Sequence, residues 1–263
     1  MEPGVFSMFP ALDEGWLPAP PERAACAGSI FFIMPAKPYP IIKPIFRIMN
    51  HDAHTLREFD AALSSLNTHL LQMAYKAQSA LDLAAAGLLQ QNESSANRVI
   101  ADDEELDELE MAVDREGLHL LAFFSPVASD LKVVLASLRM SSMYERIGDE
   151  AVTIAKRANR LNKHPRIREA ALADPVYREM AERFRAVNKA VSSWDGEALA
   201  ELVPALEDLA EHAASLTEAF ACLPEQYQDN LVSVADLVFV SRSLERIAEG
   251  LQKVAAEGLY AAS

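Results

Sequence analysis

Glu145-Arg-Ile-Gly-Asp149 and, one hundred residues later, Glu245-Arg-Ile-Ala-Glu249 are two copies of one acidic pentapeptide. Each copy puts carboxylates at i and i+4, one helical turn apart on a single face, where both can grip one hard cation. The frames around them match as well. Asp130-Leu131, Val134, Leu138 and Glu145-Arg146-Ile147 align without a gap against Asn230-Leu231, Val234, Val238 and Glu245-Arg246-Ile247. A duplicated helix that carries its acids in register implies a fold made of two similar halves.

The acids continue an apolar stripe. In the helix predicted over roughly 127–162, Leu131, Leu135 and Leu138 recur at spacings of four and three, and the same rule leads on to Ser142, Glu145 and Asp149. The row expected to face the core therefore changes from leucine to carboxylate without leaving its face. A buried ionised carboxylate must be paired, protonated or bound to metal. Arg146 and Arg157 fall elsewhere on the wheel, which favours metal. The preceding helix offers a matching row: Asp103, Asp107, Glu110 and Asp114 stand at i, i+4, i+7 and i+11, inside roughly 60° of arc. Alone, such a row is a solvated face. Opposite Glu145 and Asp149 on the next antiparallel helix, it lines a shared site, and oxygen-only ligation favours Mg, Ca, Mn or iron over the thiolate-loving metals.

Composition agrees. The chain has 263 residues, enough for one large domain or two small ones, with only nine glycines, 51% hydrophobic and 7% aromatic residues; rich in Ala and Leu, it reads as all-α. A formal charge of −15 argues against nucleic acid and against an anionic membrane surface, and fits a cation or a basic protein partner. Cys26 and Cys222 are too few and too far apart for a disulfide framework, so a reducing cytoplasm is the expected setting.

The first fifty residues differ in kind. They hold nine of the fourteen prolines and five of the eleven phenylalanines, and their charges cancel, four against four. The apolar run Ile30 to Met34 is too short to span a bilayer, and no basic segment precedes it as in a secretory signal. The stretch is read either as a disordered extension or as upstream codons wrongly included, with Met49 as the start; the second is preferred.

Beyond it the pattern repeats. Phe59, Leu63, Leu66, Leu70, Met73, Ala77, Leu81, Ala84 and Leu88 advance by fours and threes as a long amphipathic helix. A second helix is expected over about 95–122, and Ser125-Pro126 supplies an N-cap and first-turn proline to open the third. His164-Pro165 and Asp174-Pro175 break the chain. Met180, Phe184, Val187 and Val191 begin a second triplet, Leu199 to Phe220 continue it with a kink or restart at Pro204, and Leu223-Pro224 opens the sixth helix. The expected organisation is an extension over 1–50, one three-helix repeat over 51–163 and a second over 164–263.

These residues resemble a known family. Val99-Ile-Ala-Asp-Asp, Asp107-Glu-Leu-Glu110, Pro126-Val-Ala-Ser-Asp-Leu131 and Glu145-Arg-Ile-Gly-Asp149-Glu-Ala-Val152, followed by Ile154-Ala155, are similar to the PhoU family of phosphate-uptake regulators, over about residues 52–263. The resemblance implies two tandem three-helix bundles, acidic motifs that bind a multinuclear cluster of iron or another divalent ion (Fe, Mn, Mg or Zn), and a homodimeric cytoplasmic protein that restrains the phosphate-starvation response. It further implies partners in the ATPase subunit of the phosphate transporter and a sensor histidine kinase. The family's metal residues carry over as Asp103, Asp107, Glu110, Glu145 and Asp149, with Asp114 and Asp130 beside them.

In the second half the corresponding row reads Glu207, Glu211, Ala214 and Glu218, so a carboxylate is lost at the position of Glu110. Asn230 replaces Asp130, Ala248 the glycine and Glu249 the aspartate. A second cluster through Glu207, Glu211, Glu245 and Glu249 would thus be reduced or absent. Two other classes are weighed against the regulator. Carboxylate-bridged di-metal enzymes need Glu-x-x-His on two helices, and this chain has one, Glu116-x-x-His119, on nearly the opposite face from Asp103 to Asp114. A metal-free structural adaptor is the other. No glycine-rich phosphate loop or nucleophile with a paired base points to catalysis.

Overall fold

The computed structural model describes residues 53–263, with side chains from Leu56 onward. The expectation for the N-terminal fifty residues lies outside that range. The described residues are helical, without a strand, as the composition implied.

Helix α1, Ala53–Leu89, buries the predicted stripe from Leu66 to Leu88 and leaves Phe59 and Leu63 partly covered. The single helix expected next is broken into α2, Glu93–Ala101, and α3, Asp103–His119. Asn92 caps α2 by accepting from the Ser95 amide at 3.1 Å, and Asp102 leaves helical geometry at the break (φ −88°, ψ 5°). Both pieces keep an apolar contact inward through Val99 and Leu106.

After α3 the backbone widens into a π-helical turn, Leu120–Phe124, and Ser125 is left-handed at φ 50°. Pro126 therefore falls in the connection and α4 starts at Ala128, later than the Ser125-Pro126 expectation, and runs to Leu161. Helix α5, Ala173–Ser193, takes Pro175 into its first turn, where the missing N–H is harmless, and ends at left-handed Trp194. Helix α6, Gly196–Ala221, is capped by Asp195 and runs as one helix through Pro204 without the expected restart. Leu223-Pro224 opens only a 3₁₀ turn, a second follows at Gln228–Asn230, and α7 spans Leu231–Ala262.

Helices α1 to α4 form one bundle and α5 to α7 the other, joined through α4 and α7. These two run antiparallel. Arg139 meets Glu257, Ile147 meets Gly250, Glu150 meets Arg246, and Arg157 meets Asp236. One apolar core runs through both bundles and includes Leu70, Met73, Ile147, Phe184, Phe220 and Leu251.

Two buried polar groups tie the halves together. The Tyr144 hydroxyl donates to Asn188 Oδ1 at 3.2 Å, while Asn188 Nδ2 donates to the Ala74 carbonyl at 3.3 Å and to Gln78 Oε1 at 3.0 Å. Asp236 of α7 is 1% exposed and meets Arg157 Nη1 at 2.9 Å and Arg160 Nε at 3.2 Å on α4. Only the Arg157 contact has hydrogen-bond alignment. Arg157 also stacks over Phe239, 4.2 Å from the ring centroid.

That triad makes an asymmetric prediction. The arginines are 24% and 51% exposed, so water can solvate them when Asp236 is gone, whereas Asp236 has nowhere to go. Removing both arginines (Arg157→Met with Arg160→Met) should destabilise by about 3–5 kcal/mol, and Asp236→Ala by much less. Urea denaturation of the two variants checks this; equal losses would show that packing, not charge burial, governs the contact.

Candidate metal centre

Helices α3 and α4 pack antiparallel at two knob-and-hole contacts. A Cβ built on Gly148 would lie 2.2 Å from Leu106 Cδ2, and one on Gly117 would lie 2.5 Å from Leu138 Cδ2. Glycine on one helix receives leucine from the other at both places, so the backbones come close. The stretch between the two contacts carries the acids. Asp107, Glu110 and Asp114 on α3 face Ser142, Glu145 and Asp149 on α4, and Asp103 completes the row beyond Leu106.

The row lies along the α3–α4 seam, not in the core. Glu145, Glu110 and Asp103 are half-buried while Asp149, Asp107 and Asp114 are exposed. This corrects the expectation of a core-facing row. The stripe keeps its face, since 131 to 149 is about five full turns, but that face looks at α3, and the fully buried row Met140, Tyr144, Ile147 and Ala151 lies on roughly the opposite side of α4. Leu135 and Leu138 are only partly buried, because their face looks at α3.

Electrostatics inside the seam are repulsive. Burial first, and then Asp149, Glu110 and Asp107, push the Glu145 carboxyl up to about 7. A hydrogen bond to Asp149 from the protonated Glu145 carboxyl adds to the rise. Burial followed by Asp149 and Asp107 raises Asp103, against which Lys156 acts weakly; burial followed by Asp114 and Asp107 raises Glu110, while the Ser142 hydroxyl bonded to it pulls the other way.

Among the described residues, no three acidic, histidine or cysteine side chains converge on one point as a ready cation cage. The donor set nonetheless has the chemistry of a hard-cation site: carboxylate oxygens on facing helices, mutually repelling, with one hydroxyl and one peripheral lysine among them.

Asp130 does not join them. It stands in the first turn of α4, fifteen residues before Glu145 on the same helix, roughly 22 Å away at 1.5 Å per residue. Glu116 and His119 are also elsewhere. Glu116 accepts from the Ser65 hydroxyl at 2.7 Å and meets His69 Nδ1 at 2.9 Å on α1, while the His119 ring packs against Phe123 and Phe124. The lone Glu-x-x-His therefore serves helix packing.

The second half keeps the frame and changes the charges. Thr217 donates to Ser241 at 2.8 Å, which sets α6 against α7 in the register that sets α3 against α4. In that register Ala210 and Ala248 stand where Leu106 meets Gly148, a knob and hole exchanged for two alanines. Ala214 stands where Glu110 does, and Arg242 replaces Ser142. Arg242 Nη1 donates to Glu245 at 2.5 Å, and Glu245 is only 15% exposed. The protein's own guanidinium occupies the place beside Glu245. Glu207, Glu211 and Glu249 are exposed around it. The signal for this lay in the sequence at Arg242, one turn before the motif, and was missed there.

Residues 70–158 match the family model of the PhoU domain. The "Phosphate-specific transport system accessory protein PhoU homolog" of Xylella fastidiosa (strain Temecula1) is 27% identical over 212 residues, 80% of this chain and 88% of that protein. PhoU homolog 2 of Mycobacterium tuberculosis is 28% identical over 211 residues, 76% of this chain and 94% of its own. The crystal structure of PhoU from Pseudomonas aeruginosa superposes with a TM-score of 0.74 at 22% identity, covering 77% of this chain and 98% of that one. The crystal structure of PhoU from Streptococcus pneumoniae gives 0.68 at 18%, covering 77% and 96%. Residues 70–158 thus form a PhoU domain, and the all-α fold of the chain is the PhoU fold.

The raised carboxyls set a pH dependence. In the folded state Glu145 holds its proton up to about pH 7, and in the unfolded chain it loses it near 4.5. The folded state therefore binds more protons between those values, and metal-free protein should lose stability as pH rises from about 5 to 7. Solvent screening at this half-exposed group keeps the change small. Glu145→Gln should flatten the profile and raise the melting temperature at pH 8; an unchanged pH profile in that variant would refute the assignment.

Proposed function

We propose that this PhoU-domain protein is a member of the PhoU family and a metal-binding regulator of phosphate uptake. It would act in the cytoplasm, as a homodimer, between the ATPase of the phosphate transporter and a sensor histidine kinase, and hold the phosphate-starvation response down. The observation that supports the metal reading is the unneutralised cluster of Asp103, Asp107, Glu110, Glu145 and Asp149 on the α3–α4 seam, with Asp114 at its edge. A divalent or iron ion bound there would relieve the repulsion between the helices and fix their separation. The relatives' printed names support the place in phosphate transport. No described helix is long and apolar enough to cross a membrane, which suits a role exerted through protein contacts.

The chain's own residues have three tasks in this reading. Gly148 and Gly117 hold α3 and α4 close, so that carboxylates from both helices line one seam. Ser142 orients Glu110 by donating a hydrogen bond. Arg242 neutralises Glu245 in the second half, where it stands in place of a cation. A site through Glu207, Glu211, Glu245 and Glu249 is accordingly weaker than the first.

Metal content of protein purified without chelator tests the site. Replacing Glu145 and Asp149 together by alanine should remove most of the bound metal, and a double variant that keeps its full complement rules the site out. Titration of stripped protein should show one class of sites or two unequal ones. Arg242→Ser, which frees Glu245, should strengthen the weaker class; two equivalent classes in the unaltered protein would contradict the asymmetry.

The regulatory role has its own test. Deleting the gene should leave phosphate-responsive promoters active in ample phosphate, and a gene beginning at Met49 should restore repression. Normal repression in the deletion strain would end the proposal.

A further inference from the structure

At the place where α4 passes α7, the two motifs are related by a local two-fold. Ile147 lies against Gly250, 3.0 Å from its Cβ position, and the helices are antiparallel, so residue pairs 146/250 and 150/246 are equivalent. On one side Arg246 Nη1 donates to Glu150 Oε1 at 2.9 Å. On the other side Arg146 faces position 250, where the repeat has lost its glutamate and has glycine instead. One substitution thus removes a counter-ion and leaves space.

That space is a groove of about 340 Å³. Three cations line it, Arg146, Arg246 and Lys253, and three carboxylates, Asp149, Glu150 and Glu249. Glu150 is taken by Arg246, and Asp149 turns to Glu145 and the acid row on α3. Arg146 and Lys253 are left opposite Glu249, and neither is within ion-pair distance of any carboxylate among the described residues. Both side chains are exposed. A planar guanidinium fork and an ammonium facing one polar groove are donors suited to the oxygens of a phosphate group.

We propose that this groove binds a small phosphate-bearing anion through Arg146 and Lys253, with the anion standing where the missing glutamate of the repeat would be. The site borders the acid row of the α3–α4 seam at Asp149, but its donors Arg146 and Lys253 belong to neither the metal reading nor the regulatory one.

Calorimetric titration of the chelator-treated full chain tests it, with inorganic phosphate in one arm and glycerol phosphate in the other. Saturable binding of one anion per chain is expected in at least one arm, and the arm that responds says whether the free anion or a phosphate ester is the ligand. Arg146→Gln with Lys253→Gln should weaken binding by about tenfold or more. Both changes are at exposed positions, so the fold should persist, and the melting curve checks that it does. Gly250→Glu restores the internal carboxylate and should abolish binding once Ile147 has shifted by a few tenths of an ångström to admit it. If that variant does not fold, the glutamine pair decides. Absence of saturable binding in both arms, undiminished binding in the glutamine pair, or binding that appears only after metal is restored would overturn the proposal.

Discussion

Leu106 seated on Gly148 and Leu138 seated on Gly117 hold α3 and α4 so close that carboxylates on both must share one strip of space. Much of the first half's chemistry follows from that contact. Like charges crowd one another there, and the half-buried Asp103, Glu110 and Glu145 hold their protons to higher pH than usual. The packing gives no relief by rotation, because each glycine hole fixes its leucine. A neutralising agent has to come from outside the helix pair, either as protons or as a cation.

The second half shows what happens when that agent is built in. Arg242 replaces Ser142 and takes Glu245, Ala214 removes one acid, and the exchange of knob and hole for Ala210 and Ala248 leaves two small side chains where a leucine met a glycine. Internal duplication makes the comparison unusually direct, since each change has its unaltered counterpart in the same chain. The seam between α4 and α7 diverged as well. Asp236 with Arg157 and Arg160 stabilises one end, its counterpart Ala136 carries no charge, and Arg139 with Glu257 serves the other end.

The sequence carried the fold at its most periodic places. The fours and threes of α1, the duplicated frame of α4 and α7, and the break at His164-Pro165 were all legible, because burial of one helix face imposes them. The ends of elements were not. Ser125-Pro126 looks like a cap and first-turn proline, yet the π-helical turn before it moved the start of α4 to Ala128. Leu223-Pro224 has the same appearance and starts only a 3₁₀ turn. In the site, the acids on α3 and α4 were readable from spacing, but their depth was not. The core boundary depends on which neighbour a stripe faces, and Leu138 faces Gly117 on α3. Glu116 and His119, set apart by spacing on nearly the opposite face from the acid row, pack against Ser65, His69 and two phenylalanines.

Charge placement follows the same logic at larger scale. Helix α3 carries eight carboxylates against one arginine, and α6 carries six against no lysine or arginine, so −13 of the formal −15 resides on two helices. On α4 and α7, which join the bundles, lysines and arginines nearly balance the acids, and half of those acids, Glu150, Asp236, Glu245 and Glu257, are paired across or along the seam. Like charge is therefore kept away from the junction that holds the halves together and placed on the helix of each half that faces α4 or α7. Repulsion there strains one helix pair within a bundle without loosening the joint between bundles. A cation bound at α3 and α4 would tighten a contact already set by glycine and leucine, and α4, whose opposite face packs on α7, is the element through which such a change would be felt in the other half.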